Sequence, residues 1–180
     1  WRDCVTEEKT LCVMGTFDPD TEHRFEAIKE KIRASGCEAD EQTPHITFGI
    51  YSGIDRAEMA RYIEEVAGNL NRTRLFFGLI GAFPESEVLF AAPSVTQELL
   101  DMHAKIHARY DDLCNDKNCL YSLRDNKWIP HITLATPKDC SSQDMLAVIL
   151  DEFTPFEGEI THIRITEQEP LVEVASFELS

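Results

Sequence analysis

Apolar positions along this chain alternate between two rhythms, a short β-branched run and then a spacing of three and four. "KTLCVMGTF" (Lys9–Phe17) is such a run, ended by "DPD", and predicts a first strand. From Thr21 to Ser35, the residues Phe25, Ile28 and Ile32 fall on one helical face, stopped by Gly36. "HITFGIY", starting at His45, predicts the next strand. Asp55-x-x-Glu58 is a capping box for a helix through Ala67, with Gly68 as its stop. "TRLFFGLIGAF" and "EVLFAA" then read as two strands joined by "PESE".

The pattern restarts at Pro93. Ser94-x-x-Gln97 is expected to cap a helix that presents Leu99, His103, Ile106, Tyr110 and Leu113 on one face. A polar loop, "CNDKNCLYSLRDNK", leads into the strand "HITLAT". Ser141-x-x-Asp144 opens a helix through about Phe153, and "GEITHIRIT" and "LVEVASFEL" form two strands around "EQEP". Both halves therefore place an amphipathic helix, a Pro-His-Ile-Thr strand, a capped helix and a hairpin in the same order. Chance does not easily repeat so many ordered elements, so the pattern implies an internal duplication. The expected fold is α+β: duplicated α/β half-units with mainly antiparallel sheets around a central cleft and a pseudo-twofold axis. Residues 1–180 would form a single domain of two lobes, approximately 1–92 and 93–180.

Composition sharpens this. With 180 residues, 43% of them hydrophobic and 28% charged, the chain is an ordinary globular one. No apolar run reaches the roughly 18 residues of a bilayer span, so no membrane partner is expected. The start "WRDCVTEEKT" shows no basic region followed by an apolar stretch, so no signal peptide is expected, and it lacks an initiator Met, as a processed chain would.

Seventeen basic residues against 33 acidic ones leave a net charge of −16. Long nucleic acids bind through basic stripes that release counterions, and this field repels them. A nucleotide substrate should therefore be short, and a monomer suffices to act on it. Six cysteines are scattered without zinc-site spacing. Cys114 and Cys119 share a loop that leaves a local disulfide open, Cys12 reads as a buried free thiol, and the missing secretory signal favours a reducing cytoplasm.

The repeated tetrapeptide carries the candidate chemistry. Residues i and i+2 of a strand share a face, so His45 and Thr47 point one way while Ile46 and Phe48 point to the core. His131 and Thr133 are paired in the same way, backed by Ile132 and Leu134. A single strand histidine is more often a hydrogen-bonded, half-buried residue than a catalyst. Two copies in register within a duplicated frame put two imidazoles and two hydroxyls on one cleft. In-line displacement at phosphorus needs a base for the attacking oxygen and an acid for the leaving one. Histidine serves both near neutrality, and the threonine hydroxyls can hold the non-bridging oxygens. Such chemistry needs neither metal nor cofactor.

The two motifs and their repeated βαββ frame resemble the 2H phosphoesterase superfamily, which contains the 2′-5′ RNA ligases and cyclic nucleotide phosphodiesterases. The resemblance runs from "VMGTFDPDTEHRFEAIKEKI" through "FFGLIGAFPESEVLFAAP" to the final hairpin. It implies a LigT-like fold and metal-independent hydrolysis of 2′,3′-cyclic phosphates, 2′,5′-linked nucleotides or a cyclic oligonucleotide. It places His45, Thr47, His131 and Thr133 at the family's catalytic positions. The RNA-ligase branch commonly continues its second motif as His-x-Thr-Leu-x-Arg, whereas Thr136 stands here in place of that Arg. With the acidic surface, this points away from an RNA-end substrate. The competing readings are a nucleotide-binding module without chemistry, and RNA-end processing or 2′-5′ ligation.

Other residues are weaker candidates. Arg124, Lys127 and Trp128 precede the second motif, where cations could attract phosphate and an indole could stack on a base; solvated cations and a core Trp are the equal alternative. Tyr51, soon after the first motif, is a candidate for the cleft edge, and Phe83 of "GAFP" reads as packing. His103 and His107 have the spacing of a zincin helix, but Ala104 replaces its Glu and no third ligand is evident, so no metal site is expected. His103 should face the core and His107 solvent. His162 carries no signal, and "ADEQ" (Ala39–Gln42) reads as a solvated loop.

Overall fold

A computed structural model describes residues 10–114, 120–136, 138, 140–151, 153–168 and 170–180. Strand β1 (Leu11–Phe17) is buried along its whole length, and Asp18 ends it. Asp18 is extended (φ −66, ψ 159), and its carboxylate accepts from the N–H groups of Asp20 and Thr21, with Pro19 in the first turn of α1 (Pro19–Ala34). The same carboxylate accepts from the Glu159 N–H at 3.1 Å, which tacks the helix start to a strand from the other end of the chain. Partial burial would raise the Asp18 carboxyl. Hydrogen bonds from the Thr21 hydroxyl and from the N–H groups of Thr21, Glu159 and Asp20 outweigh that and hold it below the usual carboxylate range. Asp18→Ala is expected to cost about 1–2 kcal/mol in urea unfolding at pH 7. A depressed folded value means the stabilisation is complete above the unfolded value of about 3.9 and is lost as pH falls through the folded one, so the difference between variant and parent should shrink in acid.

The remaining elements are β2 (His45–Tyr51), α2 (Arg56–Ala67), β3 (Thr73–Ala82), β4 (Leu89–Pro93), α3 (Gln97–His107), a 3-10 turn (Asp111–Leu113), β5 (Ile132–Ala135), α4 (Ser142–Leu150), β6 (Phe156–Glu167) and β7 (Val172–Glu178). The seven strands form one sheet in the order β2-β1-β6-β3-β4-β5, with β7 also beside β6. Every strand pair among the described residues is antiparallel.

Strand β6, 12 residues long, organises the sheet. One edge pairs with β1, and the other pairs first with β3 (Phe156–Ile160) and then with β7 (His162–Glu167). Pairing thus crosses the two sequence halves. The hairpin β3–β4 receives β5, and the hairpin β6–β7 receives β1. Strands β2 and β5 end the strand order at opposite sides, yet they touch, because a twisted sheet curls its ends toward each other. Beneath it, Phe25 of α1 meets Phe77 edge-on at 4.9 Å and Phe156 at 5.1 Å, with Phe17 at 5.8 Å.

Several boundaries differ from the sequence pattern, and α1 already begins at Pro19 rather than Thr21. Thr96, not Ser94, caps α3, accepting from the Leu99 N–H at 3.2 Å. Ser94 is still held at the sheet, its N–H donating to the Phe76 carbonyl at 2.7 Å. Helix α3 also stops before Tyr110 and Leu113, which belong to the turn that follows. Helix α4, capped by Ser141 as expected, ends at Leu150, although the Phe153 N–H still reaches the Ile149 carbonyl at 2.8 Å.

The cysteines include a bond that their spacing did not suggest. Cys37 and Cys140, separated by 103 positions, are bonded. Neither has a neighbouring cysteine in sequence, so only the approach of the loop after α1 to the loop before α4 pairs them. Cys12 is buried, and burial pushes its thiol up to about 12. Cys119, the proposed partner of Cys114, lies outside the described residues, as does Lys9. No helix among the described residues is long and apolar enough to cross a membrane.

Candidate active site

The two motif strands keep the alternation that their sequences prescribe. Ile46, Phe48, Ile132 and Leu134 are fully buried, whereas His45, Thr47, His131 and Thr133 are half-buried on the other side. Strand β1 supports the first motif, pairing Thr16 with His45 and Met14 with Thr47. Between them Gly15 lies opposite Ile46, and a Cβ there would come within 2.8 Å of the Phe48 ring, so glycine lets the motif strand pack closely.

Both histidines are held by the same device. His45 Nδ1 lies 2.8 Å from the Thr43 carbonyl, and His131 Nδ1 lies 2.7 Å from the Ile129 carbonyl. A carbonyl only accepts, so each Nδ1 carries its hydrogen, and Nε2 is left for whatever enters the cleft. The residue bridged in each case is a buried proline, Pro44 or Pro130. Its fixed φ helps present that carbonyl, which gives the proline of Pro-His-Ile-Thr a role the sequence reading did not assign.

Burial lowers both imidazoles below the ordinary histidine value. At His45 the Thr43 hydrogen bond and Asp40 oppose this, while Lys29 and His131 add to it. The first motif's histidine thus feels the second's. His131 is walled by two phenylalanines: Phe83 edge-on at 4.9 Å and Phe90 at 5.6 Å, themselves 4.4 Å apart.

Reciprocal bonds join the strands. The Trp128 indole N–H donates to the Thr47 carbonyl at 3.0 Å, and the Asp40 N–H donates to the Leu134 carbonyl at 2.8 Å. Each donor comes from the segment that leads into the opposite motif. Trp128 stacks flat on His103 at 3.9 Å, so one indole face is already occupied by protein. The other candidates of this region divide. Tyr51 is only 1% exposed, its hydroxyl 3.3 Å from His107 Nδ1, so it is no cleft-edge residue; its side chain points toward α3 instead. Arg124 and Lys127 are exposed, with Arg124 Nε donating to the Ser122 hydroxyl at 3.1 Å and Lys127 paired with Asp125 at 2.9 Å.

The histidines of α3 serve the first motif from behind. His107 is fully buried, not solvent-facing as expected, with Nε2 2.8 Å from the Phe48 carbonyl and Nδ1 2.8 Å from the Asp111 carboxylate. His103 donates from Nε2 to the Tyr121 carbonyl at 2.8 Å, and burial and the neighbouring His107 take it down to about 4. Among the described residues no cluster of three or more His, Cys, Asp or Glu side chains has metal-holding geometry.

A cavity of about 550 Å³ opens beside this arrangement, between the segment Cys37–Gln42 and the end of β5. Thr136, the position of the absent arginine, lines it together with Arg33 and Lys138. The "ADEQ" run is therefore not a plain solvated loop: Ala39 and Asp40 are half-buried, and Asp40 bonds to the second motif strand.

Solved structures share this architecture. TT0787 of Thermus thermophilus is 17% identical with a TM-score of 0.65, over 94% of this chain and 97% of that one. Escherichia coli LigT complexed with 3′-AMP is 12% identical with a TM-score of 0.63, over 96% and 99%. At such identities the likeness shows a common LigT-like α+β fold. No curated protein sequence matches. The family profile described as the 2′-5′ RNA ligase superfamily matches residues 17–170, from the end of β1 through β6 with both His-x-Thr strands inside it, and the chain accordingly belongs to that superfamily, the 2H phosphoesterases.

Proposed function

We propose that this chain is a metal-independent phosphodiesterase that hydrolyses a small nucleotide through His45 and His131. The observation that carries the reading is the shared tautomer lock: two half-buried imidazoles, on strands that touch, each donate from Nδ1 to a carbonyl and keep Nε2 for substrate. One neutral imidazole takes the proton of the attacking water as the new P–O bond forms. The other, as imidazolium, gives its proton to the leaving oxygen as the old P–O bond breaks, and the pair ends with its protons exchanged. Thr47 and Thr133 donate to the non-bridging oxygens. Phe83, half-buried beside His131, offers a face for the base. Each motif comes from one half of the chain, so residues 1–180 act as one catalytic unit, complete in a monomer.

LigT of Escherichia coli has been solved with 3′-AMP, NADP+ and ATP, which supports a nucleotide ligand for this fold. Thr136 and the acidic surface favour a 2′,3′-cyclic phosphate, a 2′,5′-linked oligonucleotide or a cyclic oligonucleotide over a long RNA end. The test is a hydrolysis panel of those substrates and 3′,5′-dinucleotides with excess EDTA. Turnover of at least one, unchanged by chelator, is expected. Because both imidazoles are depressed, kcat/KM should peak below about pH 6.5, the ordinary histidine value. Tight binding without turnover of any panel member would make the chain a nucleotide-binding module.

A further inference from the structure

Lys29 lies on the face of α1 that also carries Phe25 and Ile32, and its side chain is fully buried. Packing alone would accept Met or Leu there. Taking an ammonium out of water costs several kcal/mol unless its donors are met. They are met by Glu26 at 3.2 Å, Asp40 at 3.3 Å and the Gln42 carbonyl at 2.6 Å. Two of those partners bear on the site. Gln42 sits three residues before His45 in the segment that enters β2. Asp40 donates its N–H to the Leu134 carbonyl, next to Thr133 in β5. One buried cation thus grips the entry to the first motif and, through Asp40, the strand of the second. It mirrors Trp128, which does the reverse from the other side.

We propose that Lys29 is a positioning residue for the His45–His131 pair, holding the two motif strands in register through Asp40 and Gln42 and tuning the charge at His45. The inference rests on the reading of those imidazoles as acid and base. The charged and titratable groups that face His45 are Asp40 from the loop, Lys29 from α1 and His131 just before β5. Asp40 favours the imidazolium, whereas the Lys29 ammonium, and His131 when protonated, oppose it. Removing either partner of the Lys29–Asp40 pair should therefore move His45 in opposite directions. Loosening of the structure alone would move it the same way in both variants, upward toward the exposed value.

The experiment is ring-nitrogen NMR titration of His45 in the intact chain, for Lys29→Met, Asp40→Asn and Lys29→Arg, with kcat and KM for any panel substrate that turns over. Lys29→Met should titrate at higher pH and Asp40→Asn at lower pH than the parent. Lys29→Arg should return toward it. In both of the first two, kcat should fall by about 10- to 100-fold, as small misplacements of reacting groups do, with KM changed far less. An unchanged His45 titration in a folded Lys29→Met protein, or a shift of the same sign in Asp40→Asn, overturns the proposal. If Lys29→Met does not fold, Asp40→Asn decides: a lower titration supports the assignment, and an unchanged or higher one ends it. The titration needs no substrate, so loss of this inference and loss of the proposed activity are separate results.

Discussion

Alanine at either His45 or His131 is expected to reduce kcat by about 10²–10⁴-fold, the contribution of a positioned acid or base. The loss should fall on kcat more than on KM, since an imidazole that moves a proton acts in the transition state and contributes little to ground-state binding. The double variant should lose little more than the worse single one. A base without its acid leaves the departing oxygen unprotonated, so the two act as a unit and their effects do not add. Neither substitution should lower the urea midpoint much, because both rings are half-buried and each is tied to one local carbonyl. Single-turnover rates of folded His45→Ala and His131→Ala proteins equal to the parent would remove the acid–base mechanism altogether.

Breaking the Cys37–Cys140 bond is expected to cost about 2–5 kcal/mol, the upper part of that range being what chain entropy assigns to a long closed loop. The bond spans 103 positions and encloses both motif strands. Cys37 begins the segment that leads into β2, and Cys140 follows the end of β5, where Lys138 also pairs with Glu38 at 2.6 Å. Loss of the bond leaves that end of the motif pair held by the Asp40–Leu134 hydrogen bond, the exposed Lys138–Glu38 pair and the Lys29 contacts. The Cys37→Ser/Cys140→Ser protein should therefore show a lower denaturant midpoint and a lower kcat, and reductant should reproduce both in the parent. Cys12 is a poor source of confusion, since its buried thiol is held protonated. An unchanged midpoint on reduction would mean that the bond stabilises nothing.

Much of the site could be read from local pattern. In "HITF" and "HITL" a period of two separates His and Thr from the residues behind them, and burial follows that period in both strands. Asp55 and Ser141 cap their helices as short polar side chains before apolar-periodic runs should, and Asp18, read only as the end of the first strand, caps α1 in the same way. Ser94 misled because two hydroxyl residues, Ser94 and Thr96, lie within reach of the same helix start. A sheet hydrogen bond that no local rule contains decided between them. Tyr51 and His107 misled for a related reason: each is amphipathic, and only the docking of α3 on β2 shows that they satisfy each other out of solvent.

Strand and helix order, the doubled His-x-Thr faces and the family likeness follow from residues close together in sequence, where steric preference and hydrophobic period act directly. Which strand each hairpin would receive does not, nor does the pairing of Cys37 with Cys140 or the burial of Lys29 against Asp40 and Gln42. These join segments from 11 positions apart, for Lys29 and Asp40, to more than 100, for the disulfide and the β1–β6 pairing, and a distant contact leaves no periodic trace in either partner. It arises when the twisted sheet curls β2 against β5, and the groups then enclosed must satisfy their charges and hydrogen bonds with whatever that closure has brought near.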